Sequence, residues 1–261
     1  MMVTRGTDAR PWGTPFRRGY AGNVDLSRYA HSFGRAADLY DAVRPAYPEA
    51  AVAWMVPASS RTVVDVGAGT GKLTRMLVHA GFDTTAVEPD PDMLARLATN
   101  LPTVRALVGT AESLPLADAS VDALTSAQVW HWVDPARALP EVARVLKPGG
   151  TFATIWNVLD FTVPWVVALS EAVGGARNGG VETLVEVDDS FTPVESATFP
   201  WVYPLDRDGV VALVTSWSQY IVADEGERAR IRADVGAVLD GHPAEVYPVP
   251  YDALCFRAQR V

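Results

Sequence analysis

The stretch 63–74, VVDVGAGTGKLT, sets glycines at 67, 69 and 71 between an apolar run and a helical pattern. Glycine lets a backbone turn sharply and approach a ligand closely. A strand-to-helix turn of this kind can hold a dinucleotide, a nucleoside triphosphate or S-adenosylmethionine. Glu88 closes the next apolar run, where a carboxylate can accept both hydroxyls of a ribose. Farther on, QVWHW (128–132) gathers Gln128, His131 and two tryptophans, Trp130 and Trp132. An imidazole with an ordinary pKa of about 6.5 can take a proton from a hydroxyl, orient an acceptor, or simply pair with the backbone. The tryptophans either wall a pocket or pack at the edge of a core.

The triphosphate reading fails. It needs GxxxxGK followed by Ser or Thr, whereas Gly71-Lys72 is followed by Leu73 and the position five before Gly71 is Val66. A dinucleotide turn, GxGxxG, would require glycine at 72, where Lys72 stands. A neighbouring glycine pattern can serve in its place, so that reading stays open.

These residues need elements to position them. TVVDV (62–66) is a short β-rich run. After the glycines, Leu73, Met76, Leu77 and Ala80 recur at helical spacing, and Gly81 ends the helix. TTAVE (84–88) predicts a second strand; Asp90 then caps a helix that has Pro91 at its first position and Met93, Leu94 and Leu97 on its apolar face. VRALVG (104–109) and VDALTSA (121–127) predict two more strands. Asp134-Pro135 repeats the cap, Pro140 predicts a kink or restart, LKPGG (146–150) a stop, and TFATIW (151–156) a fifth strand. Such alternation specifies a parallel, doubly wound α/β sheet, with the ligand beyond the carboxyl ends of the strands.

Outside this core, residues 28–43 read as helical, RPAYP (44–48) as an extended turn and 49–56 as a helix. After 157 come a helix at 163–174, a Gly-rich loop at 174–180, a strand at 197–203, helices at 208–222 and 225–239, and a strand near 251–258. Residues 1–26 show neither period and read as a flexible tail, whose first twenty residues Arg5, Arg10, Arg17 and Arg18 against Asp8 make basic.

The 261 residues, 49% hydrophobic, suffice for one large domain or one domain with a cap. A net charge of -9 argues against nucleic acid as the main partner, because such binding rests on neutralising phosphates. One cysteine, Cys255, rules out an internal disulfide and fits a reducing compartment. The four histidines, His31, His79, His131 and His242, lack metal-ligand spacing. The N-terminus shows no signal-like stretch, and FTVPWVVAL (161–169) is far too short to span a bilayer. A cytoplasmic protein with no membrane partner is expected.

Four stretches in order resemble the class I S-adenosylmethionine-dependent methyltransferases, over roughly residues 33–157. VVDVGAGTGKLT is similar to their first motif and AVEPDPDML (86–94) to their second. GTAESLPLADASVDALTSAQVWHWVD (109–134) is similar to their third and fourth strand region, and RVLKPGGTF (144–152) to the turn before their fifth strand. FGRAADLYDAVRPAYP (33–48) and SAQVWHWVD (126–134) resemble the small-molecule branch that includes the trans-aconitate and farnesoic acid methyltransferases.

The resemblance implies a Rossmann-like, mostly parallel seven-stranded sheet. A helical lid would cover 27–57, a cofactor-binding core 58–157, and acceptor cap with sheet completion 158–261. S-adenosylmethionine would lie on Gly67, Ala68, Gly69 and Gly71, with Glu88 on the ribose, Pro89 and Met93 flanking the adenine, and Ala111 and Glu112 at its edge. Asp65 would orient the turn or touch the methionine amine. Tyr40 and Arg44 would bind the cofactor, the arginine facing its methionine carboxylate, and Gln128 would contact the cofactor. Trp130, Trp132 and Trp156 would line the acceptor pocket, with His131 as the catalytic candidate. Transfer to a small, partly apolar acceptor, at a carboxylate or hydroxyl oxygen, needs no metal. Its product is S-adenosylhomocysteine, and a monomer or homodimer suffices. The rival readings are a binding protein without turnover and, more distantly, a dinucleotide oxidoreductase.

Overall fold

The computed structural model describes residues 43–175 and 185–261. The expected tail, all but the last residue of the helix expected at 28–43 (Tyr40 included), and most of the Gly-rich loop lie outside the described residues.

A seven-stranded sheet runs in the order β3-β2-β1-β4-β5-β7-β6. Its strands are β1 (Thr62–Val66), β2 (Asp83–Glu88), β3 (Arg105–Val108), β4 (Val121–Ala127), β5 (Leu146–Leu159), β6 (Glu195–Leu205) and β7 (Tyr247–Gln259). β1 to β5 pair in parallel, and β7 runs antiparallel to both β5 and β6. This is the expected Rossmann-like methyltransferase sheet. β1 pairs with β2 on one side and with β4 on the other, so strand order reverses there and a crevice opens beyond the carboxyl ends.

Both faces of β1 are covered. Val63 packs with Val52 and Met55 of α1 (Glu49–Met55) and with Leu73 and Leu77 of α2 (Lys72–His79). The next residue, Val64, packs on the other face with Leu139 and Val142 of α4 (Pro135–Val145). A parallel strand buried on both faces reads as a continuous apolar run, as TVVDV does. α3 (Pro91–Asn100) starts as its sequence promised: Asp90 accepts from the backbone N–H groups of Asp92 and Met93.

Pro140 does not break α4 into two helices; the helix continues through it. The proline is on the exposed side of the helix, where the carbonyl of Ala136 can tilt toward water. β5 begins at Leu146, within the stretch read as a stop, through a register shift between Val121 and Ala123 of its partner β4. The single helix expected at 208–222 is two, α6 (Arg207–Thr215) and α7 (Ser218–Val222). The Ser216 hydroxyl bonds back to the Leu213 carbonyl at 2.6 Å and closes the first.

With α5 (Pro164–Ala172) and α8 (Glu225–Asp240), α6 forms a second core over Tyr247, Val249 and Tyr251 of β7. Among the described residues, no helix is long and apolar enough to cross a membrane.

Candidate active site

The three glycines of the first turn serve three purposes. Gly67 has φ +68, and a Cβ there would stand 2.8 Å from both methyls of Val129. Gly71 has φ +91 and precedes α2; a Cβ there would press on Leu97 and Leu101, so this glycine seats the turn against α3 and its C-terminal end. Gly71 does not line the cleft. Gly69, with φ +56, does; a Cβ there would meet nothing within 4 Å, because the space is the cleft itself.

Glu88 closes the turn from the end of β2. Its Oε2 accepts the N–H of Gly69 at 2.8 Å and its Oε1 the N–H of Asp90 at 2.9 Å. The side chain is buried, and burial raises its pKa against those two bonds. Each oxygen keeps a further lone pair. Asp65 is deeper: its Oδ2 takes the Thr74 hydroxyl at 2.7 Å and its Oδ1 the Thr125 hydroxyl at 3.2 Å. Burial pushes its carboxyl up to about 7, the two hydroxyls pull it back, and the charge of Glu88 adds to the rise.

The cleft has a volume of about 490 Å³. Arg44, Asp65, Gly67, Ala68, Gly69, Glu88, Pro89, Met93, Ala111, Glu112, Gln128, His131 and Trp132 all line it. Glu112 also holds the N–H of Asp134 at 3.0 Å, joining the third-strand loop to the start of α4. Gln128 has φ +60, a left-handed conformation rare for a residue with a side chain, and its Nε2 donates to the Asn157 carbonyl at 3.2 Å. Arg44 donates to the Ser216 carbonyl at 2.8 Å, at the end of α6.

The cradle fits S-adenosylmethionine: a glycine opens the floor where a side chain would fill it, and a carboxylate with spare lone pairs stands at its rim. Residues 64–154 match the family described as methyltransferase domain. The chain is 45% identical over 232 residues to an uncharacterized methyltransferase of Mycobacterium tuberculosis, covering 87% of this chain and 95% of the relative. The chain belongs to the class I S-adenosylmethionine-dependent methyltransferases. It is 37% identical over 135 residues to a malonyl-[acyl-carrier protein] O-methyltransferase of Pectobacterium atrosepticum, covering 50% of this chain and 53% of that protein. A Haemonchus contortus phosphoethanolamine N-methyltransferase 2, solved with phosphomonomethylethanolamine and S-adenosylhomocysteine, shares the fold. Its TM-score is 0.54 at 15% identity, covering 89% of this chain and 60% of that one.

Two of the expected pocket tryptophans are not in this methyltransferase's cleft. Trp130 is buried in the core, its ring 4.6 Å from that of Phe152. Trp156 is buried too and reaches the site through one atom: its Nε1 donates to Nδ1 of His131 at 3.3 Å. A large apolar ring on a sheet that is covered on both faces is drawn inward, and the WHW spacing alone does not say which ring turns out. Trp132 does, at 40% exposed.

Tyr47, Val129, Val133, Asn157 and Tyr251 line the cleft without having been singled out from sequence. Tyr47 belongs to the RPAYP turn, which was a usable signal. Asn157 lies one residue past the strand read at 151–156; its side chain donates to the Ala46 carbonyl at 2.8 Å and accepts from Trp201 Nε1 at 3.1 Å. Tyr251 comes from β7, far along the chain, and its ring stacks on Trp201 at 5.7 Å. Among the described residues no group of three or more His, Cys, Asp or Glu could hold a metal.

Proposed function

We propose that this methyltransferase places a methyl group on an oxygen, carboxylate or hydroxyl, of a small and partly apolar acceptor. The observation that carries the reading is the wall of the cleft beyond β4. Val129, Trp132, Val133 and Tyr251 make it apolar, and Gln128, His131 and Asn157 interrupt it. A small-molecule site has this composition, a largely apolar surface with a few polar groups that fix orientation.

S-adenosylmethionine, when bound, supplies a methyl on a sulfonium whose departure leaves a neutral thioether. The chain's task is then to align the partners in a dry site. Glu88 would accept the ribose hydroxyls on its remaining lone pairs. Pro89 and Met93 would flank the adenine, with the Ala111 N–H and Glu112 at its edge. Gly67 to Gly69, Asp65, Arg44, Tyr40 and Gln128 would take the methionine portion and the approach to the methyl group. The likeness to an O-methyltransferase supports oxygen as the accepting atom. So does the similarity of 33–48 and 126–134 to the trans-aconitate and farnesoic acid branch.

A screen of small carboxylic acids, phenols and amines with methyl-labelled S-adenosylmethionine tests the reading. Labelled esters or ethers are expected. Label found only in amines would refute transfer to oxygen.

A further inference from the structure

The indole of Trp156 lies buried behind the cleft, and its Nε1–H meets Nδ1 of His131 at 3.3 Å. An indole N–H can only donate. The imidazole nitrogen facing it therefore holds a lone pair and no proton, and a neutral ring must carry its proton on Nε2. His131 itself is exposed and lines the cleft, so Nε2 is the nitrogen on the side away from the buried indole. Partial desolvation of the ring lowers the His131 pKa and so favours the neutral form. The neighbouring Trp132 ring, 4.8 Å away, braces the other side.

We infer that Trp156 is a positioning residue that sets His131 as a fixed Nε2–H donor, and that the acceptor gripped there is a small carboxylate anion rather than a hydroxyl awaiting deprotonation. This rests on the transfer-to-oxygen reading. A base needs a lone pair toward the acceptor, and His131 presents a proton. Taking up a proton on Nδ1 would break the indole bond and leave a buried N–H unpaired. Among the described residues of the cleft, Asp65 and Tyr251 do not supply the missing base, Asp90 caps α3, and Glu88 and Glu112 are taken by the cofactor in the proposed reading. Both oxygens of Asp65 hold threonine hydroxyls, and burial raises the Tyr251 phenol, so that it stays protonated. Transfer to a carboxylate oxygen forms one O–C bond and breaks one C–S bond, whose electron pair stays on sulfur. No proton moves. Transfer to an alcohol would release one.

The ring state is read from the imidazole ¹⁵N resonances of the full chain with S-adenosylhomocysteine, the His131 signals being assigned by their loss in His131→Gln. The expected spectrum at neutral pH is the neutral Nε2–H form in the wild type and a mixture of tautomers in Trp156→Phe. An imidazolium or an Nδ1–H form in the wild type would overturn the assignment, and that spectrum decides even where Trp156→Phe does not fold. Matched pairs of small acids and their alcohols then decide the acceptor. The acid should lead by about tenfold or more in kcat/KM, and an alcohol that leads overturns the anion. His131→Leu should raise KM for the acid about 10–100-fold, the loss expected of a hydrogen bond to a charge, while His131→Gln keeps a donor and recovers most of it. A defect confined to kcat, with an acid limb that the variants lack, would mark a base and refute the donor role. Labelling of amines alone would refute the oxygen reading, and the ring spectrum would still decide what Trp156 does.

Discussion

Gly67 and Gly69 stand two residues apart, and a methyl added to each should do different damage. At Gly67 the methyl collides with Val129, and the left-handed backbone resists it as well. Gly67→Ala should therefore lose about 1–3 kcal/mol of stability. At Gly69 nothing in the protein is struck. Gly69→Ala should lose only the backbone strain, about 1–2 kcal/mol, yet weaken S-adenosylhomocysteine binding by about tenfold or more. Denaturant melts and calorimetry on both proteins separate the two effects, and normal affinity in Gly69→Ala would show that the cofactor does not approach that residue. Asp65 offers a pH test. Its carboxyl ionises near 4 when unfolded and near 7 when folded. Between these values the folded state binds more protons, so Asp65 makes stability fall as pH rises, and the fall stops above pH 7. Asp65→Asn lacks this slope. Its stability relative to wild type should grow by on the order of a few kcal/mol between pH 4 and pH 7. Denaturation at pH 5 and pH 8 checks it; a gap that stays constant would show that Asp65 titrates normally. At this scale the sequence revealed residues that touch through backbone pattern, such as the glycines and Glu88. It hid contacts such as Trp156 to His131, because burial within a strand leaves no mark in spacing.

One carboxylate fastens three strands at the end of the sheet opposite the cleft. Oδ2 of Asp122 accepts the N–H groups of Arg61 and Thr62, at 2.9 and 2.8 Å, and Oδ1 accepts Lys147 Nζ at 2.7 Å. The Lys147 ammonium and these N–H groups hold its carboxyl well below the usual carboxylate range. Asp122→Ala should lose about 1–3 kcal/mol at pH 7, because two backbone donors lose their partner. Lys147→Ala should lose less than about 1 kcal/mol, since the lysine side chain is 43% exposed and its pairing is screened. Thermal melts of both variants check the ranking, and an equal loss would show that the ion pair matters as much as the backbone bonds. The strands were the most legible elements: β1 and β4 end where their apolar runs end. What escaped the sequence reading was set by tertiary context. Pro140 is tolerated because it faces water, and the break between α6 and α7 follows from Ser216, whose carbonyl also receives Arg44.

That last bond joins distant parts of the molecule. Arg44 precedes α1, Ser216 ends α6, and Arg44 lines the cleft. Arg44→Ala should weaken S-adenosylhomocysteine binding by about tenfold or more, as expected for loss of a charge-assisted bond. It should also speed hydrogen exchange at the end of α6. Calorimetry and exchange on the same sample check both, and unchanged affinity would remove Arg44 from the site. The sheet order carries a consequence for how the protein is made. β7 follows every other strand along the chain, yet it lies inside the sheet, bonded to β5 on one side and β6 on the other. While the ribosome is still translating α6 to α8, β5 has an open edge and β6 has no neighbour. At about 5–20 residues per second that interval lasts seconds. A nascent chain stalled before Tyr247 would carry two strands able to pair with other molecules, and a stop codon there should yield aggregate rather than a smaller enzyme.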